Sequence, residues 1–234
     1  MLVCGETSNI CCSLEIKLFL IEFVIKMRNV ELKAIINDLN KLKKFIEVMN
    51  LGEAKIIHQQ DTFFNSSTGR LKMRKFQDDN GELIFYERSN TEGPKLSSYD
   101  KMALGNNEFK NLYLILGRSL GKSGEVKKVR HLYVLEQTRI HLDYVEDLGN
   151  FIELEVVLKP DQSTEQGQMI ALSIMKKLGI NSEDLISCSY MDLIRKKRNS
   201  PLSGQKLGGI GKDAVTIFKK HQERAEIGNS SSQE

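Results

Sequence analysis

Cationic residues alternate with apolar residues in several short segments of the chain. Residues 70–74 have the sequence RLKMR, and residues 128–130 have the sequence KVR. Successive side chains of a β-strand point to opposite faces, so each segment would place its cations on one face of a sheet. Guanidinium groups bind phosphate oxygens in pairs and ammonium groups act as point charges. These faces therefore suit a polyanion such as a triphosphate.

Carboxylates follow the same alternation in three other segments. Residues 151–155 have the sequence FIELE, residues 139–143 have RIHLD, and residues 29–33 have NVELK. Carboxylate oxygens are hard ligands that Mg²⁺ and Mn²⁺ prefer, and such ions commonly bridge carboxylates to phosphates. The candidate metal ligands are Glu31, Asp143, Glu153 and Glu155. Transfer of a phosphoryl group at such a site requires mainly positioning and charge neutralisation.

Two arrangements would explain this alternation. An ordinary antiparallel sheet commonly has one solvated face and one face on the core. However, solvated faces usually mix Thr, Ser, Gln and Lys, whereas several segments here carry cations alone, which repel one another on neighbouring strands. A closed barrel with the charged face inward would form a cationic lumen with an acidic patch, and a bound polyanion would compensate the repulsion.

Periodicity and turn residues predict a mainly β chain with several helices. The predicted strands are residues 29–34, 56–64, 70–77, 82–88, 125–136, 138–144 and 151–158, with a short edge strand at 99–102. The predicted helices are residues 38–49, 107–120, 164–178 and 182–194, and residues 121–125 are predicted to form a loop.

The ends of the chain differ from its centre. Residues 14–25 are strongly apolar, but three charges interrupt them and they are too short to span a bilayer. Because Met27 opens a segment typical of a protein start, we interpret residues 1–26 as a non-native or alternative extension. Residues 195–234 are predicted to be a basic, largely disordered tail. The run RKKR at 195–198 leaves open a solvated tail or a nuclear signal.

The composition favours a protein that is not directed at nucleic acid or membranes. The net charge of +3 is too small to argue for either partner. The four cysteines, at positions 4, 11, 12 and 188, have no convincing metal-ligand spacing and indicate free thiols in a reducing compartment. We therefore expect a cytoplasmic protein, a monomer or homodimer, whose partner is a small triphosphate substrate.

The ordered motifs resemble the CYTH family, the triphosphate tunnel metalloenzymes, named after class IV adenylyl cyclases and thiamine triphosphatases. Residues 29–33 resemble its signature Glu-x-Glu-x-Lys, except that Asn29 replaces the first glutamate. The other matching segments are residues 60–64, 69–74, 83–88, 127–130, 137–143, 148–149, 151–155 and 189–193. The resemblance covers about residues 28–194 and is strongest with the adenylyl-cyclase-like branch.

This resemblance implies an α+β fold built on a closed eight-stranded antiparallel barrel with helices packed outside. It also implies Mg²⁺ or Mn²⁺ and a substrate with a linear triphosphate. The implied phosphate-binding residues are Lys33, Arg70, Lys72, Arg74, Arg88, Lys128, Arg130 and Arg139. The implied metal ligands are the four carboxylates above, and the implied catalytic residues are Glu31, Lys33, Glu153 and Glu155. His141 either contacts phosphate or takes part in hydrogen bonds within the lumen.

Three functions remain open at this level. A triphosphatase would direct water at the terminal phosphorus of an inorganic or organic triphosphate. A class IV adenylyl cyclase would direct the ribose 3′-hydroxyl of ATP at its own α-phosphorus. A non-catalytic module would only bind polyphosphate or phosphorylated partners, an alternative that Asn29 keeps open. Hydrolysis is favoured over cyclisation because no residue set resembles a dedicated adenine pocket, and a fold does not determine a function.

Overall fold

Eight antiparallel strands close into a barrel in the computed structural model, which describes residues 25–36 and 39–199. The strands are β1 Ile25–Ile35, β2 Lys55–Phe64, β3 Arg70–Lys75, β4 Gly81–Arg88, β5 Lys95–Leu104, β6 Lys122–Leu135, β7 Thr138–Val145 and β8 Gly149–Val157. Around the barrel they follow the order β1-β5-β4-β3-β2-β6-β7-β8. Strands β2 to β5 and β6 to β8 form two meanders, and β1 joins them by pairing with both β5 and β8. The predicted closed eight-stranded barrel is confirmed.

Four α-helices accompany the barrel within residues 25–36 and 39–199. They are α1 Leu39–Val48, α2 Asn106–Ser119, α3 Thr164–Leu178 and α4 Tyr190–Asn199. Helix α3 begins with a capping box between Ser163 and Gln166, and it ends at Gly179 in the left-handed conformation. These local signals explain why the predicted bounds of α3 agree with the structure.

The main apolar core lies outside the barrel wall, beneath α1 and α3. Leu32 of β1, Ile140 of β7 and Leu154 of β8 are fully buried there, against Leu42 of α1 and Ile174 of α3. Alternation along each strand then directs the residues between them, which are the charged ones, into the lumen. Burial of this apolar face outside the wall therefore orients the charged face inward, as predicted.

A second, smaller core lies under α2 and depends on a glycine. Gly81 begins β4, and a Cβ atom there would come within 2.3 Å of the Phe109 ring and 2.5 Å of the Arg74 carbonyl oxygen. Phe109 packs in this core with Phe64 and Met73. Only glycine allows the helix and the β3–β4 hairpin to approach this closely.

Two predictions for the centre of the chain were wrong. Residues 99–102 were predicted as a short edge strand, but β5 has ten residues and lies between β1 and β4 in the closed barrel. Its sequence, KLSSYDKMAL, has little apolar alternation because Ser98 and Asp100 place polar groups on the outward face as well. Residues 122–125 of the predicted loop are instead the start of β6, which pairs with β2 as far as Lys122.

The predicted helix at 182–194 was also wrong in its bounds. Residues Ser182–Asp184 form a 3₁₀ turn, and the chain then runs extended, with the Ile186 amide donating to the Lys33 carbonyl oxygen at 2.8 Å. Helix α4 starts only at Tyr190, because Ser189 and Asp192 exchange side-chain and backbone hydrogen bonds at its N-terminus.

The first and last elements of the described residues lie near the predicted ends of the domain. Strand β1 begins at Ile25, and α4 ends at Asn199. The remaining predictions for the extension, the tail and three of the cysteines lie outside the described residues, whereas Cys188 is buried with a free thiol. Across residues 25–36 and 39–199, no helix combines the length and apolar character needed to cross a bilayer.

Candidate active site

The barrel lumen gathers opposite charges from all eight strands. Within the described residues, strand register and alternation place eleven cations and six carboxylates on inward positions, a formal excess of five positive charges. The cations are Lys33, Lys55, Arg70, Lys72, Arg74, Arg88, Lys95, Lys101, Lys128, Arg130 and Arg139, of which Lys55 is exposed at the start of β2. The carboxylates are Glu31, Asp61, Glu82, Asp143, Glu153 and Glu155. Every predicted phosphate-binding and metal-binding residue is therefore on the inner face.

The predicted residues are spread along the barrel axis. Arg70 lies at the end bordered by α4, where its guanidinium donates to Asp192 at 3.2 Å and to Asn90 at 2.9 Å. Arg139 lies at the opposite end, where its side chain is 39% exposed and 3.4 Å from Glu155. The other predicted cations lie between these two residues, so the site has the form of a tunnel.

Asp61 organises the cations of β3. The Lys72 ammonium donates to it at 2.8 Å, and the Arg74 guanidinium donates to both of its oxygens at 2.7 and 2.9 Å. Burial alone would raise the pKa of Asp61, but the charges of Arg74 and Lys72 outweigh burial and hold this pKa well below its usual value. Burial, with the nearby charge of Arg74, lowers the pKa of Lys72 to about 8. An ionised, buried carboxylate thus holds two predicted phosphate-binding cations in place.

Arg130 and Asp143 form a second buried ion pair on the opposite wall. The Arg130 guanidinium donates to both oxygens of Asp143, at 2.7 and 2.6 Å, and to Glu153 at 2.7 Å. Asp143 is fully buried and also accepts a hydrogen bond from the Tyr190 hydroxyl at 3.0 Å. Burial opposes ionisation of Asp143, but Arg130 and Lys128 outweigh it and lower the pKa of the carboxyl.

Tyr190 brings α4 into the site. Its ring lies 3.9 Å from the Lys33 ammonium and 5.2 Å from that of Lys128, and it packs against the Phe151 ring. The two lysines thus contact the face of one aromatic ring, a favourable cation–π arrangement when solvent is excluded. Burial, together with the neighbouring charge of Arg130, lowers the pKa of Lys128 to about 7.

The seam between β1 and β8 holds most of the predicted metal ligands. Glu31 lies opposite Glu155 in register, and Lys33 lies opposite Glu153 at 3.6 Å. Each of these carboxylates contacts a donor: Arg88 donates to Glu31, and Asn29 donates to Glu155. Asn29 therefore supplies a hydrogen-bond donor to a predicted ligand where the family signature has a carboxylate.

His141 lies between the two glutamates of β8. Its Nδ1 is 3.9 Å from Glu153 and its Nε2 is 3.7 Å from Glu155. Burial, and then the charge of Arg130, lower the pKa of His141 below its ordinary value. His141 is thus a neutral group at neutral pH, placed among the lumen carboxylates.

The donor set fits a divalent cation in its chemistry. Glu31, Glu153 and Glu155 offer carboxylate oxygens on adjacent strands, and Glu153 is held ionised because its pKa is well below the usual value despite burial. Among the described residues, no three acidic, histidine or cysteine side chains converge on one point, since each carboxylate faces a cation. Asp143 differs from the other three because Arg130 and Tyr190 already occupy its oxygens.

Several lumen residues were not identified from the sequence. Asp61 was identifiable, because alternation along residues 57–63 places it on the inner face with Phe63. Lys95 belongs to the strand whose pattern was weak; its ammonium donates to the carbonyl oxygens of Thr91 and Ser187, at 2.7 and 3.0 Å. No local pattern indicates that Tyr190 contacts Asp143, since 47 positions separate them.

Comparison with known proteins places the chain in a family. The CYTH domain model matches residues 27–190. A Methanocaldococcus jannaschii protein, provisionally named an adenylate cyclase, is 26% identical over 180 residues, which cover 71% of this chain and 98% of that protein.

Two solved structures have the same barrel. A Pyrococcus horikoshii protein is 24% identical, with a TM-score of 0.60, over 70% of this chain and 98% of its own. A Hippeastrum protein, provisionally an adenylyl cyclase and described as having a dominant triphosphatase activity, is 14% identical, with a TM-score of 0.54, over 76% of this chain and its entire length. At sequence identities of 24% and 14%, these two structures support the fold alone. The family assignment rests on the CYTH domain model, which matches most of the chain. The chain belongs to the CYTH family, and its closed, charge-lined barrel is the fold of the triphosphate tunnel.

Proposed function

We propose that this protein is a metal-dependent triphosphatase that binds its substrate inside the barrel. The observation that supports this most directly is the formal excess of five positive charges on the inner face. A triphosphate carries about four negative charges near neutral pH, so it would neutralise most of this excess. The cations are also well positioned, because Asp61 and Asp143 hold four of them in ion pairs of 2.6 to 3.5 Å.

In the proposed reaction the oxygen of a water molecule bonds to the terminal phosphorus. The bond from that phosphorus to the bridging oxygen breaks, its electron pair stays with the departing diphosphate, and the water gives up a proton. Arg74, Lys72 and Arg130 would hold the phosphate oxygens and offset the charge that develops on them. Glu31, Glu153 and Glu155 would hold Mg²⁺ or Mn²⁺, which when bound polarises phosphate oxygens and lowers the pKa of bound water.

A class IV adenylyl cyclase is the second candidate. The curated relative from M. jannaschii, provisionally named an adenylate cyclase, favours it, because the match spans 98% of that protein. Cyclisation would use the same cations, but the ribose 3′-hydroxyl would attack the α-phosphorus and pyrophosphate would depart. The Hippeastrum protein, whose description combines both activities, shows that a cyclase name and dominant hydrolysis occur together in one barrel of this fold.

The substrate and the products decide between these functions. Purified protein is incubated with Mg²⁺ or Mn²⁺ and with inorganic triphosphate, ATP, GTP or thiamine triphosphate. We expect release of inorganic phosphate without cyclic AMP. Formation of cyclic AMP and pyrophosphate from ATP would establish the cyclase instead. Tight triphosphate binding without turnover of any substrate would instead indicate a non-catalytic binding module.

The matched control for this experiment is Glu153→Gln, which removes the charge of a proposed metal ligand and preserves its size. We expect this variant to lose turnover while it keeps measurable binding of triphosphate in the presence of a chelator. Full activity of Glu153→Gln would remove this carboxylate from the proposed metal site.

A further inference from the structure

A cavity of about 930 Å³ opens at the barrel end bordered by α4. On one side of this end, Tyr190, Met191 and Ile194 pack against apolar residues of β2, β6, β7 and β8. On the other side the ends of β3 and β4 border the cavity. The volume lies within the range of small-molecule sites, about 300–1,000 Å³.

Arg88 connects this cavity with the lumen. Its side chain is only 3% exposed, and its Nη1 donates to Glu31, yet it also lines the cavity. Its Nε and Nη2 have no hydrogen-bond partner among the described residues. Unpaired buried donors of a charged group are costly, so a bound acceptor is expected beside them. An anionic oxygen of a phosphate group matches these donors in charge and geometry.

The cavity wall beyond Arg88 differs in chemistry from the lumen. Phe63 and Met191 supply apolar surface, while Asn65, Ser66 and Ser89 supply amide and hydroxyl groups at the rim. Small organic ligands are typically bound by such a combination of apolar surface and a few polar groups.

The cavity wall carries less free positive charge than the lumen. Glu87 and Asp192 line it together with three arginines, Arg70, Arg88 and Arg195, so its formal excess is one positive charge. Asp192 engages Arg70 at 3.2 Å and lies 4.0 Å from Arg195, which reduces the positive charge available at the rim. A longer polyphosphate chain would therefore meet fewer unpaired cations here than in the lumen.

We propose that this cavity receives the organic substituent of an organic triphosphate, of nucleoside size and with hydrogen-bonding groups. Arg88 and Arg70 bind the phosphate nearest to the substituent, and the terminal phosphate lies deeper in the lumen among the cations of β3 and β6. The inference rests on the proposed function and names its substrate class, organic triphosphates in preference to inorganic triphosphate. Hydrolysis then releases an organic diphosphate and inorganic phosphate.

Filling the cavity tests this assignment without altering the lumen. Ser66→Trp and Ser89→Trp each place a large side chain at the rim, from two different loops. Ser67→Trp is the matched control, because Ser67 is exposed in the same loop as Ser66 but does not line the cavity. The probes are ATP, GTP, thiamine triphosphate and inorganic triphosphate, each with the full chain and the activating metal.

We expect the wild-type protein to turn over at least one organic probe with a higher kcat/KM than inorganic triphosphate. Ser66→Trp and Ser89→Trp lower kcat/KM for that organic probe by about tenfold or more, as expected for lost pocket contacts. The value for inorganic triphosphate changes little, and Ser67→Trp resembles wild type with both. Thermal melting of each variant verifies that it is folded.

Two results would overturn the assignment: inorganic triphosphate as the best substrate of the wild-type protein, or an equal loss for organic and inorganic substrates in both cavity variants. Failure of the proposed function is distinguishable, because it appears as no turnover of any probe. Calorimetric binding of the same probes then tests the cavity by itself. Tighter binding of an organic probe that Ser66→Trp abolishes supports the cavity assignment, and equal binding of all four probes rejects it.

Discussion

Asp61→Asn is the substitution that most directly tests how the cationic lumen is stabilised. The change keeps the size of the side chain but removes the charge that holds Lys72 and Arg74. Asp61 is 3% exposed and accepts three short hydrogen bonds from these two cations. The variant would therefore leave both of them buried without their counter-ion.

The expected loss is large because the pair is buried. Removing one partner of a buried ion pair typically costs about 3–5 kcal/mol. For a chain of this size about 1 kcal/mol corresponds to about 2–4 °C in Tm, so a decrease of roughly 6–20 °C is expected. Lys72 limits the loss, since its pKa is already about 8 with Asp61 present and it can release its proton when the carboxylate is gone. The destabilisation should therefore be largest at acidic to neutral pH and smaller above pH 8.

Thermal melting of the ligand-free protein measures this effect, with Asp79→Asn as the matched control. Asp79 also pairs with a lysine, Lys75, but both side chains are more than 40% exposed, and exposed pairs contribute little. A saturating triphosphate should restore part of the stability of Asp61→Asn, by about 2.7 kcal/mol at a ligand concentration of 100 Kd. A decrease in Tm no larger than that of Asp79→Asn would refute the role assigned to Asp61.

Three further outcomes are expected. Triphosphate affinity should fall as the pH rises through about 8, because Lys72 has a lowered pKa and loses its positive charge above this pH. The affinity of Lys72→Arg should fall less over the same pH range, because arginine keeps its charge. Tyr190→Phe should lose the hydrogen bond to Asp143, worth about 1.5–3 kcal/mol, but keep the ring beneath Lys33. Tyr190→Leu should lose both the hydrogen bond and the ring, and its KM should be higher than that of Tyr190→Phe. Arg74→Ala should weaken substrate binding, and unchanged KM and kcat in this variant would exclude Arg74 from the site.

Much of the fold could be predicted from local pattern. Alternation in residues 70–74, 139–143 and 151–155 correctly assigned the inner and outer faces of three strands, because the period of a strand is a local property. The pattern failed at β5, where Ser98 and Asp100 place polar groups on the outward face as well and leave little apolar periodicity. Only closure of the barrel explains that strand, since it pairs with β1 and β4 on its two sides.

Much of the candidate site could also be predicted, but not its internal contacts. All eight predicted cations and all four predicted carboxylates are on inward positions. Their pairing could not be foreseen. Arg88, for example, contacts Glu31 from 57 positions away, and residue spacing contains no information about such distant neighbours.

The sequence by itself determined that eight cations and four carboxylates face the lumen and that their charge suits a triphosphate. Both properties follow from side-chain type and the two-residue period of a strand. Only the tertiary structure decided which carboxylate restrains which cation, that Tyr190 contacts two lysines, and that a cavity remains beside Arg88. These features depend on closure of the barrel and on the docking of α4, which bring distant segments together through burial of apolar surface.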